Sequence, residues 1–221
     1  MIEGVIFDMD GLMFDTESIL YIGMKEEGKK RNLDLPDSVL DQLIGCDSHV
    51  VEQFEEQYPG ITDCMKSFQK NRLDVFFKQF PEPGSGNKKG LKELVQYLEQ
   101  KDIPYAIASS SYVSDIQRLV DHAGFPMHPK EIVSSKEKGI PSKPDPMIFL
   151  ETAERLGLKP ENCLVLEDSK NGIMAARRAG MYSIYVPDKI LPDKMMYLYI
   201  RVRCEDLTGA IDFIEEMNQG G

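Results

Sequence analysis

Five short runs in the chain carry little polar alternation: Gly4–Phe7, Tyr105–Ala108, Glu131–Ser134, Cys163–Leu166 and Ser183–Val186. Runs of that length and character are what strands buried on both faces require, which is the situation of a parallel sheet. Helix-period stretches lie between them: Lys88–Lys101, Val113–Ala123, Met147–Leu156 and Asn171–Ala179. The second is followed by Gly124 and the fourth by Gly180, where glycine can take the left-handed conformation that closes a helix. Strands alternating with helices predict an α/β protein with a parallel sheet covered by helices.

One region departs from this rhythm. Between about Glu17 and Phe80 the pattern is helical throughout, over Ser18–Arg31, Asp37–Leu43, His49–Gln57 and Thr62–Phe77. Pro36, Gly45 and Pro59-Gly60 punctuate it, and Glu82-Pro83-Gly84-Ser85-Gly86 reads as the return to the α/β pattern. The expected organisation is a core made of residues 1–15 and 82–221, with a helical insert over 16–81.

Composition narrows the possibilities. The 221 residues hold 26 Lys and Arg against 37 Asp and Glu, a formal charge of −11, which disfavours a general nucleic-acid or anionic-membrane surface. No apolar run approaches the roughly 20 residues of a membrane span. No basic-then-apolar leader precedes the first strand. Four scattered cysteines, Cys46, Cys64, Cys163 and Cys204, suggest neither a zinc site nor a disulfide framework. A cytoplasmic, monomeric protein is the expectation.

Ligands of an open parallel sheet bind outside the carboxyl ends of its strands. The first strand delivers Asp8-Met9-Asp10-Gly11 there, and the second delivers Ser109-Ser110-Ser111. The third is followed by a loop ending in Ser142-Lys143-Pro144-Asp145-Pro146, and the fourth delivers Glu167-Asp168-Ser169. Taken singly, each has a bland explanation: Asp and Ser favour helix starts, and a lysine before proline is ordinarily solvated. Asp8 and Asp10 are harder to dismiss, because two carboxylates two residues apart at a strand end repel unless a cation lies between them. The conjunction of all four groups points to a site. His49, His122 and His128 are isolated and read as surface or loop histidines, and most of the 12 methionines as core filler. Met13, just after the Asp8 loop, is the methionine with a possible role facing the insert. The basic and aromatic stretch Lys189–Arg203 reads as an ordinary C-terminal connection, and Glu52–Glu56 as a solvated helix face.

These four segments resemble the motifs of the haloacid dehalogenase-like hydrolases: Phe7-Asp8-Met9-Asp10-Gly11-Leu12-Met13-Phe14-Asp15-Thr16, Ile107-Ala108-Ser109-Ser110-Ser111, Lys143-Pro144-Asp145-Pro146 and Leu164-Val165-Leu166-Glu167-Asp168-Ser169. The helical insert resembles the small cap of the β-phosphoglucomutase-like and phosphoglycolate-phosphatase-like branch. The resemblance implies a doubly wound, Rossmann-like core with an all-α cap. It implies Asp8 as the nucleophile that becomes an aspartyl phosphate, and Asp10 as general acid and then base. Mg²⁺ would be held by Asp8, Asp10 (through its carbonyl) and Asp168, with Glu167 as an outer-shell partner. Ser109 and Lys143 would hold phosphate oxygens, with backbone amides near Met9 and Ser110 as further donors.

Dehalogenase members attack carbon and usually lack a carboxylate at the position of Asp10, so phosphoryl chemistry is expected here. β-Phosphoglucomutases carry a histidine where Leu20 stands and basic residues approximately where Ile44 and Ser48 fall beside Gly45. A phosphatase acting on a small phosphorylated metabolite is therefore the expected activity. A sugar-phosphate mutase is the alternative enzyme, and a catalytically silent binding module is the alternative outside catalysis.

Overall fold

The computed structural model describes residues 1–44, 48–189 and 196–220. Gly45, Cys46, Lys194 and Met195, and the side chain of Ser48, lie outside that description. The chain divides into two compact units, Met1–Phe14 with Asn87–Gly221, and Asp15–Gly86. The return segment 82–86 thus belongs to the helical unit.

Among the described residues the first unit is built on six parallel strands, β1 (Gly4–Phe7), β2 (Tyr105–Ser109), β3 (Glu131–Ser134), β4 (Cys163–Glu167), β5 (Tyr182–Tyr185) and β6 (Val202–Arg203). Their order across the sheet is β3-β2-β1-β4-β5-β6. All of β1, β2 and β4 is buried, as their apolar runs require. Ile6, Ala108, Val133 and Val165 pack with Ile148, Phe149 and Ala153 of α7 (Met147–Leu156) and Ala175 and Ala176 of α8 (Lys170–Arg178). Val5 and Phe7 point to the opposite face and are equally inaccessible, so neither face of β1 meets solvent. This is the Rossmann-like arrangement, a parallel sheet with helices on its faces, α5 (Leu91–Gln100) and α6 (Val113–Asp121) among them.

Sequence pattern placed the five longer strands to within a residue, β5 being shifted one position toward its N-terminus. It missed β6, where the stretch read as a plain connection contributes two residues paired with β5. Two residues are too few to show a period. It also missed α9 (Gly209–Gln219), whose buried face reduces to Ala210 and Ile214.

The second unit holds α1 (Ser18–Lys30), α2 (Asp37–Leu43), α3 (Ser48–Gln53) and α4 (Ile61–Gln79). Helices α1 and α4 form its main packing, and a Cβ added at Gly23 would lie 2.2 Å from the Phe68 ring. Glycine at that position lets the two helices approach. Helix α3 ends at Gln53, four residues before the expected end, and a turn follows. Among the described residues no helix is long and apolar enough to cross a membrane.

Candidate active site

Strand order reverses at β1, with β2 on one side and β4 on the other. A crevice opens at such a reversal, outside the carboxyl ends of the strands. Phe7 is in register with Leu166 of β4 and Ile107 of β2, and the Asp8 amide donates to the Leu166 carbonyl at 3.0 Å. That register delivers Asp8, Glu167 and Ser109 to one edge.

Lys143 joins them from the segment preceding α7. Its ammonium donates to an Asp8 carboxylate oxygen, to Glu167 Oε1 at 2.6 Å and to the Ala108 carbonyl at 3.2 Å. Its side chain is only 7% exposed, so this lysine is no solvated surface residue. The Phe149 ring centroid lies 4.8 Å from Nζ, adding a cation–π contact. Arg178 donates to the Pro144 carbonyl at 2.7 Å and ties down the adjacent backbone.

Burial draws the Lys143 ammonium down, but the Asp8 and Glu167 carboxylates outweigh it and raise its pKa. Lys143 is therefore a permanent cation. Burial pushes the Asp8 carboxyl up to about 7, against the pull of Lys143 and with help from Glu167 and Asp10. Two carboxylates share one ammonium in a dry place, and either a proton on Asp8 or a further cation relieves the excess negative charge.

Glu167 is fully buried. Its Oε2 accepts from the Ser169 amide at 2.9 Å and the Ser169 hydroxyl at 2.8 Å, while Ser169 Oγ accepts from the Gly172 amide and caps α8. A Cβ at position 172 would lie 1.7 Å from Glu167 Oε1, so the first turn of α8 leaves room for this carboxylate because Gly172 has no side chain. Ser169 is the N-cap of α8, and it also holds Glu167.

Asp10 is partly exposed. Its Oδ2 accepts from Ser111 Oγ at 2.6 Å and from Ser109 Oγ at 3.3 Å, and Ser109 Oγ in turn accepts from the Ser111 amide. Ser134 Oγ donates to the Ser111 carbonyl at 2.5 Å and fixes the serine row from the end of β3. Ser109 and Ser111 are buried and Ser110 is exposed. The closest serine to Asp10 is thus Ser111, which sequence reasoning treated only as part of the row. The signal that could have found it is the alternation of a strand continued past its end.

Asp168 is buried beside the Asp8–Asp10 loop, and a Cβ added at Gly11 would lie 2.4 Å from its Oδ2. Gly11 has φ +81°, a conformation that costs glycine nothing, so its identity is fixed twice. Met13 is fully buried in the first unit. His49 and His128 are exposed, and His128 Nδ1 lies 3.1 Å from Glu99.

A parallel sheet with an Asp-x-Asp loop, a serine row, a buried lysine and an acidic pair on one edge defines a haloacid dehalogenase-like hydrolase. The model of that family matches residues 5–186, and the chain belongs to it. Among its relatives are the phosphorylated carbohydrates phosphatase of Thermotoga maritima, 28% identical over 187 residues (83% of this chain, 84% of the relative), and hexitol phosphatase B of Escherichia coli strain K12, 26% identical over 215 residues (94% and 93%). A β-phosphoglucomutase from Clostridium difficile shares the fold with a TM-score of 0.75 at 22% identity, covering 98% of this chain and 96% of that one. The protein is a phosphohydrolase of this family.

Proposed function

We propose that the chain hydrolyses the phosphate monoester of a small metabolite, a phosphorylated carbohydrate or polyol, through an aspartyl phosphate on Asp8 with Mg²⁺ as cofactor. The observation that carries the reading is the buried Lys143 ammonium bonded at once to Asp8 and Glu167. A cation in that place holds the nucleophile's oxygen and offsets the charge of an incoming phosphate. The relatives whose names specify phosphorylated carbohydrates and hexitols support the substrate class.

In this reading an Asp8 oxygen attacks phosphorus while Asp10 gives a proton to the departing alcohol. Asp10 then takes a proton from the water that cleaves the acyl phosphate, which restores Asp8 and releases inorganic phosphate. Ser109, Ser110 and Lys143 bind the non-bridging oxygens. Ser111 holds the Asp10 carboxylate in place between the two proton transfers.

The donor set is all oxygen and acidic, which suits a hard divalent cation. Asp8, Asp10 and Asp168 are the residues that would hold Mg²⁺. Glu167, with lone pairs left beyond its bonds to Lys143 and Ser169, serves as an outer-shell partner. When bound, the ion supplies Lewis-acid stabilisation of charge on the transferring phosphoryl group.

The test is release of inorganic phosphate from an aryl phosphate and from hexose and hexitol phosphates, with and without EDTA. Wild type should turn over only with Mg²⁺, and Asp8→Asn should lose on the order of 10⁴-fold or more in rate. Turnover by Asp8→Asn comparable to wild type refutes the nucleophile. An isomerised sugar phosphate in place of inorganic phosphate establishes a mutase instead.

A further inference from the structure

Asp188, just past β5, takes no part in the chemistry above, yet its side chain is only 7% exposed. One carboxylate oxygen, Oδ1, accepts from the Lys88 ammonium. The other, Oδ2, is buried and has no hydrogen-bond partner among the described residues. It does not face an apolar wall. A Cβ added at Gly11 would lie 3.3 Å from Asp188 Oδ2 and 2.4 Å from Asp168 Oδ2, so both oxygens border the same point of the Asp8–Asp10 loop. A carboxylate oxygen of Asp168 and one of Asp188 lie within 4.8 Å of each other.

A buried carboxylate oxygen without a donor keeps its desolvation cost unrepaid. Here a second buried carboxylate adds repulsion. Lys88 neutralises the far side of Asp188 and leaves the near side uncompensated. Two acidic oxygens at this separation suit a water molecule that donates to both or to one while bound to a cation through its own oxygen.

We propose that Asp188, oriented by Lys88, is a further carboxylate of the metal centre, accepting from a water of the divalent ion that Asp168 ligates. The inference rests on the metal-dependent reading of the site and assigns Asp188 a positioning role in it. Sequence pattern offered no hint, because Asp188 is a lone acid after the fifth strand and outside all four motifs.

The test is binding of Mn²⁺ to the full chain, followed by the loss of the free-ion electron paramagnetic resonance signal, together with melting curves in EDTA and in saturating Mn²⁺. Asp188→Asn should bind Mn²⁺ about 10-fold more weakly than wild type, the scale of lost outer-shell partners. Its melt in EDTA shifts by the loss of the Lys88 pair against the relief of repulsion with Asp168, so the reading is the stabilisation by Mn²⁺ above its own EDTA melt, which should shrink. A purely structural role would leave both that stabilisation and the Mn²⁺ affinity intact. Asp188→Ser, smaller and still polar, is read in the same way if circular dichroism finds the amide variant unfolded. Asp168→Asn separates the two levels of the argument. Loss of Mn²⁺ binding in Asp168→Asn with wild-type affinity in the Asp188 variants overturns the inference and leaves the metal-dependent reading standing. Absence of Mn²⁺ binding by wild type overturns both.

Discussion

Replacing Glu167 by glutamine removes a charge from the fully buried centre of the site while nearly keeping its shape. Glu167 accepts three hydrogen bonds, from Lys143 at 2.6 Å and from the amide and hydroxyl of Ser169 at 2.9 and 2.8 Å. A glutamine carbonyl can serve one side only, so its NH₂ group is turned toward either the Lys143 ammonium or the Ser169 N–H. Bonds to charged groups contribute about 1.5–3 kcal/mol each, and breaking a buried ion pair costs roughly 3–5 kcal/mol. Relief of the repulsion between Asp8 and Glu167 offsets part of that. The balance is a destabilisation of roughly 2–4 kcal/mol, equivalent to a fall in melting temperature of roughly 4–16 °C for a chain of this size. Activity should fall further than stability at the assay temperature. With one of its two carboxylate anchors gone, Lys143 loses its fixed position, and a displacement near 1 Å costs about 10²-fold in rate. Far-ultraviolet circular dichroism melts and phosphate release from an aryl phosphate measure the two effects. A variant that melts within about 1 °C of wild type refutes the claim that Glu167 is the acceptor organising this edge.

Ser111→Ala removes the shorter of the two serine hydrogen bonds to Asp10 and should lower kcat by up to about 10-fold, the worth of one hydrogen bond, with KM nearly unchanged. Steady-state kinetics check this, and a change confined to KM would contradict the assignment of Ser111 to Asp10. In the helical unit, the hydrogen bonds from Lys30, Ser67 and Arg31 draw the Glu27 carboxyl down to about 2. A carboxyl held below its unfolded value of 4.5 contributes stability that is fully present above pH 4.5 and is lost as pH falls from there toward 2. Glu27→Gln should therefore destabilise the protein by roughly 2 kcal/mol at neutral pH, a discounted figure because Lys30 is solvated, and its melt should approach that of wild type as the buffer is acidified through this window. Equal losses at pH 7 and pH 3 would show that the glutamine disturbs packing and not charge.

The pattern of apolar runs determined the parallel sheet, because strands buried on both faces leave little freedom in composition. It also placed Asp8, Ser109 and Glu167 at strand ends, which in such a sheet is one edge. Four motifs in order carried the family, and the family suggested the chemistry proposed for them. What the chain order could not settle is which polar atom meets which. Lys143 precedes a proline in a loop, and only the packing of Phe149 and the strand tips around it makes it a buried cation between two carboxylates. Ser111 and Asp188 belong to the site region for the same reason. Ser111 meets Asp10, 101 positions away, and Asp188 meets Lys88, 100 positions away, and no spacing in the chain marks either pairing. Hydrogen bonds and burial act across space, while sequence periodicity reports only the faces of single elements. The short β6 and the narrow apolar face of α9 lie on the tertiary side of that division, since their partners, and not their composition, define them.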